Sequence, residues 1–125
     1  MQTNLFVAAA VAAVVTFCVH TFVGGKFVAG PLLADRGLPK APKWLNYYCW
    51  HVTTIEIFGM AGAFLYIAIN QLNLELAIFV SSLAVLNAIL SAAVAIKGRI
   101  HPLRFPSTSL FTVTAGLGWA AIFVG

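Results

Sequence analysis

The residues with chemistry to offer are three histidines and one glutamate set among apolar neighbours. His20 closes Cys18-Val19-His20, His51 closes Cys49-Trp50-His51, His101 precedes Pro102, and Glu56 follows His51 at five positions. Two imidazoles on facing helices can ligate a metal ion or, across an iron, a b-type haem. A carboxylate inside a membrane can carry a proton or a cation. The doubled Cys-x-His pattern has the composition of a tetrahedral zinc site. Helix geometry opposes that use, because residues two apart point about 200° from each other around the axis.

These groups must be held by membrane helices. The chain has 125 residues, 62% of them hydrophobic and 8% charged, against about 25% charged in a soluble domain. The composition gives one integral membrane domain spanning residues 1–125. A net charge of +4 would suit a nucleic-acid binder in a soluble chain. Here the basic residues flank apolar runs, so topology explains them and no nucleic-acid partner is expected. Met1-Gln2-Thr3-Asn4 lacks the positive residues of a signal peptide, and the first run is read as a retained helix. Cys18 and Cys49 lie in apolar runs, where free cysteines act as small hydrophobes.

The pattern predicts an all-α, antiparallel up-and-down four-helix transmembrane bundle with spans at about 4–23, 44–69, 74–96 and 107–124. Gly24-Gly25 is expected to end the first span. Pro31, Pro39 and Pro42 mark the stretch from Lys26 to Lys43 as a connecting loop. Asn70-Gln71-Leu72-Asn73 reads as a tight polar turn, and Lys97 to Pro106 as the third connection. Lys26, Arg36, Lys40 and Lys43 fall in the first connection, and Lys97, Arg99 and Arg104 in the third. All seven basic residues therefore share one side. Basic short loops stay in the cytoplasm, so both termini are expected on the opposite face.

This topology gathers His20, His51 and His101 at the basic end. Counted from the expected span ends, His20 lies about 6 Å deep and His51 about 10 Å. One reading makes them interfacial histidines, bonded to loop carbonyls or to each other around a small-molecule site. The alternative makes His20 and His51 ligands of haem b, or His20, His51 and His101 ligands of a metal ion.

Glu56 is deeper, about 18 Å below Trp44. A carboxylate there should face inward and be bonded. Asn87 and Thr16 reach the same level, with Thr112 and Thr114 near it, which predicts a polar layer of Glu56, Asn87 and Thr16. Its role is either packing glue or proton-coupled transport. Small residues at Gly59/Ala63, Ala84/Ala88/Ala92 and Gly116/Ala120 are expected to let the helices approach closely.

His20-Thr21-Phe22-Val23-Gly24, Pro31-Leu32-Leu33 and Trp50-His51-Val52-Thr53-Thr54 resemble a family of small four-span bacterial inner-membrane proteins of unknown function. That family has a His-x-x-x-Gly element followed by a Trp-His-x-x-Thr element, and the likeness covers about residues 16–66. It implies a bacterial inner membrane, with periplasmic termini, and one recurring constellation of His20, Gly24, Pro31, Trp50, His51 and Thr54. It implies no activity. The small multidrug transporters share only the size, since their essential glutamate is in the first span and this chain has none there. No nucleophile–base pair or nucleotide loop appears, so the expected role is non-enzymatic. The chain is read as an accessory, scaffold or small-molecule-binding subunit in the lipid bilayer, alone, as a homo-oligomer or in a larger membrane complex.

Overall fold

The computed structural model describes residues 1–70 and 72–125. Gln71, part of the expected polar turn, lies outside the described residues. Among the rest there is no strand. Four helices are long and apolar enough to cross a membrane: α1 (Gln2–Ala34), α2 (Lys40–Ile69), α3 (Leu74–Lys97) and α4 (Pro106–Val124). The chain is a multi-pass, all-α four-helix bundle. α1 packs against α2 and α4, and α4 packs equally closely on α3, whereas α2 and α3 touch far less.

The first span differs most from expectation. It does not end at Gly24-Gly25 but runs on to Ala34, through eleven residues of π-helix at Val19–Ala29. Pro31 supplies a physical reason. A proline inside a helix lacks an N–H and crowds the carbonyl four residues back. Widening the preceding turns relieves both, and transmembrane helices absorb proline in this way. The first connection thus shrinks to residues 35–39. Asp35 Oδ1 closes it by accepting from the backbone N–H of Gly37 and Leu38. Lys43 Nζ donates to the Leu33 carbonyl at 2.9 Å, capping the end of α1.

The other boundaries follow local chemistry. Asn73 caps α3 by accepting from Leu76 N–H at 2.9 Å, and Glu75 sits in the first turn, where the helix dipole favours it. α3 ends in a Schellman motif, in which Arg99 N–H reaches Ile96 O and Ile100 N–H reaches Ala95 O. Arg99 takes the left-handed position (φ 57°) that glycine usually fills. A short 3₁₀ turn, Pro102–Arg104, leads into α4, which begins on Pro106.

The tightest core lies in the half away from the basic connections. Phe6, Ala9, Ala10 and Ala13 of α1 meet Met60 and Phe64 of α2, with Ala77, Val80 and Ala121 from the other two helices. The small residues that matter are partly other than expected. Ala84 is buried, but Gly59 and Gly116 face outward into open space. Gly118 does the close packing instead: a Cβ there would meet Ser81 Oγ at 2.5 Å and the Phe64 ring at 2.9 Å. A four-residue spacing does not say which phase of the helix faces inward, and here the inward phase carries Thr114, Gly118 and Ala121.

Candidate functional site

The basic half of the bundle is built around one pair of rings. His20, on the π-helical part of α1, stacks on Trp50 of α2 with centroids 4.0 Å apart and planes at 17°. Its Nε2 lies 3.2 Å from the Trp50 carbonyl and 3.1 Å from Thr54 Oγ1. Thr54 Oγ1 itself donates to that carbonyl at 3.0 Å. A carbonyl only accepts, and the threonine hydrogen is already engaged, so Nε2 must carry the proton and donate to both oxygens. In the neutral ring Nδ1 is then an acceptor. Among the described residues it has no hydrogen-bond partner, and His20 lines the two cavities described below.

Gly24 completes the arrangement. A Cβ there would lie 2.5 Å from Trp50 Cη2, so only glycine lets the indole lie against α1 at this point. His20, Gly24, Trp50 and Thr54 are thus one physical unit, and with His51 they make up the His-x-x-x-Gly and Trp-His-x-x-Thr elements.

His51 stands apart. Its neighbour Trp50 faces α1, and one residue further is about 100° around the helix. His51 is exposed, edge-on to Tyr47 at 4.5 Å and 85°. His101 is exposed on the third connection, where Nδ1 accepts from Leu103 N–H at 3.3 Å. Among the described residues no three His, Cys, Asp or Glu side chains stand close enough to share a metal ion. The expected set of His20, His51 and His101 is therefore not assembled. A haem held by two facing imidazoles does not fit either. His20 is clamped through Nε2 and covered on one face, while His51 lies on the exposed side of α2. Cys18 and Cys49 are free and exposed.

Glu56 faces α3. Asn87 Nδ2 donates to Glu56 Oε1 at 2.7 Å and to Leu83 O at 3.0 Å. Thr16 is not part of this layer. Though buried, its hydroxyl donates to Ala12 O in its own helix at 2.8 Å. Thr112 and Thr114 likewise bond back to Thr108 O and Leu110 O. A helical threonine has a carbonyl within reach four residues back, and that local partner wins over a distant carboxylate.

A second polar cluster is not among the sequence-based expectations. Ser91 Oγ of α3 pairs with Ser107 Oγ at 2.7 Å and Thr108 Oγ1 at 2.8 Å, both on α4. Its signal is the same depth matching that picks out Asn87, since Ser91 and Ser107 both lie within about two turns of the basic end.

Two cavities adjoin the His20–Trp50 pair. One, about 450 Å³, lies between α1 and α4 and is lined mainly by apolar residues including Val23, Phe27, Leu110 and Phe111. The other, about 460 Å³, reaches toward α2 and α3 and includes Asn46, Thr53, Asn87 and Ser91. His20, Val28, Trp50, Phe105, Ser107 and Phe111 line both. Both volumes fall in the range of about 300–1,000 Å³ typical of small-molecule sites.

Comparison with protein-family models, with curated proteins and with solved structures gives no match. Function must therefore be read from this geometry.

Proposed function

We propose that the chain is a small-molecule-binding protein of a bacterial inner membrane, with the site at its cytoplasmic, basic end and both termini in the periplasm. The observation that carries this reading is the clamp on His20. A ring fixed by Nε2 and by stacking presents Nδ1 in one orientation at the wall that two ligand-sized cavities share. Orienting one ring nitrogen by bonding the other is how proteins prepare a histidine for use. The His-x-x-x-Gly and Trp-His-x-x-Thr elements support kinship with the small four-span family, since each of their matched residues except His51 takes part in the clamp.

Native mass spectrometry of the purified full chain tests the reading. A retained molecule of defined mass is expected in the wild type. It should be lost in Val23→Trp, which fills the cavity wall without touching the clamp. A chain that retains nothing and gains no thermal stability from any lipophilic compound would sink the proposal.

Proton-coupled transport through Glu56 is the second reading. It is favoured by the position of Asn87, which both holds Glu56 Oε1 and lines the second cavity. It separates from the first by the Glu56 substitutions considered below.

A further inference from the structure

We infer that the molecule bound between α1 and α4 is a planar lipophilic monophenol, with its hydroxyl donating to His20 Nδ1. This rests on the small-molecule reading above and adds the ligand's chemical class.

The walls decide the class. Four residues with polar side-chain atoms line the 450 Å³ cavity: Thr16, His20, Trp50 and Ser107. The Thr16 hydroxyl is held by Ala12 O, the Ser107 hydroxyl by Ser91, and His20 Nε2–H by Trp50 and Thr54. What is left is one acceptor, His20 Nδ1, and one donor, the Trp50 indole N–H. A ligand with several polar groups would bury most of them unpaired. One with no donor would leave Nδ1 unpaired. No Lys or Arg lines the cavity, so an anion has no partner there. Phe27, Trp50, Phe105 and Phe111 line it, and aromatic rings pack a flat ring in offset or edge-on contact. The cavity lies within the spans, so its ligand arrives through lipid. A flat apolar ring with one well-placed hydroxyl meets all these conditions. A quinone does not, because its carbonyl oxygens only accept: Trp50 N–H serves one of them, and Nδ1 is left without a donor. Binding alone is involved, and no covalent bond is made or broken.

The test uses the full chain in lipid nanodiscs and three probes of matched tail: 4-decylphenol, 4-decylanisole, which accepts but cannot donate, and decylbenzene. Apparent affinities are read from thermal stabilisation. The phenol is expected to bind about 3- to 10-fold more tightly than the other two, the worth of one net hydrogen bond. His20→Phe keeps a ring against Trp50 and should abolish that preference. In the wild type, the ¹⁵N signal of His20 Nδ1 should move on adding the phenol and stay put with decylbenzene, a readout that survives if His20→Phe does not fold. Equal binding of all three probes, or an unmoved Nδ1 signal, overturns the phenol inference while leaving an apolar binding site. No binding by any probe overturns the small-molecule reading as well.

Discussion

Asn87 donates to Glu56 Oε1 at 2.7 Å across α2 and α3, the least closely packed of the four neighbouring helix pairs. Where side chains interdigitate little, a polar bond supplies much of the tie. Such bonds contribute about 0.6 to 2 kcal/mol in a membrane. Glu56→Gln keeps an oxygen for Asn87 and should leave stability within about 0.5 kcal/mol of the wild type. Glu56→Leu removes the acceptor and should cost the full amount. The check is unfolding in mixed micelles. Equal losses in both variants would show that the carboxylate's charge, not its oxygen, matters. If the protein moves protons, Glu56→Gln should fold normally and lose that activity alone.

Much of this arrangement is legible in the sequence, and the limits have physical causes. Depth along a helix follows from residue counting, so counting alone matches Glu56 with Asn87. Azimuth is harder, because one residue turns the face by about 100°. That is why Trp50, not His51, meets His20, and why Gly118 replaces Gly116 in the core. Helix ends are hardest to read where two rules meet. Gly24-Gly25 and Pro31 are breakers in water, but lipid penalises unpaired backbone, and the chain widens into a π-helix before it stops bonding. The threonines stay out of the polar layer because a carbonyl in their own helix is nearer than Glu56.

Gly24 and Gly25 make a matched pair. A Cβ on Gly24 would lie 2.5 Å from Trp50 Cη2, whereas one on Gly25 meets nothing within 4 Å. Gly24→Ala should push the indole away, break the His20 stack and cost about 1–3 kcal/mol. Gly25→Ala should be neutral or stabilising by up to about 1 kcal/mol, since it only restricts the unfolded chain. Thermal unfolding measures both. Similar effects at the two positions would mean that Trp50 is not held against α1.

Ser91 and Thr16 separate bonds between helices from bonds within one. Ser91→Ala removes both hydroxyl contacts from α3 to α4, and a loss of about 0.6 to 2 kcal/mol is expected. Thr16→Val keeps the buried shape and gives up only a bond to its own helix. It should change stability by less than about 0.5 kcal/mol. A larger loss for Thr16→Val than for Ser91→Ala would contradict this division.

The orientation proposed above rests on where the cations sit. Lys26 and Arg36 lie near the end of α1, and Lys40 and Lys43 at the start of α2. Lys97 and Arg99 lie at the end of α3, and Arg104 just before α4. In an antiparallel bundle these are one end, and the other end offers Glu75 with no Lys or Arg. Positive residues in short connections are retained on the cytoplasmic side. Alkaline phosphatase fused after Gly125 should therefore be active in a bacterial host, and a green fluorescent protein fused there should be dark. Both reporters should reverse when placed in the turn at residues 35–39. A dark phosphatase and a bright fluorescent fusion after Gly125 would invert the bundle, and the cavities beside His20 would then open toward the outer face rather than the cytoplasm.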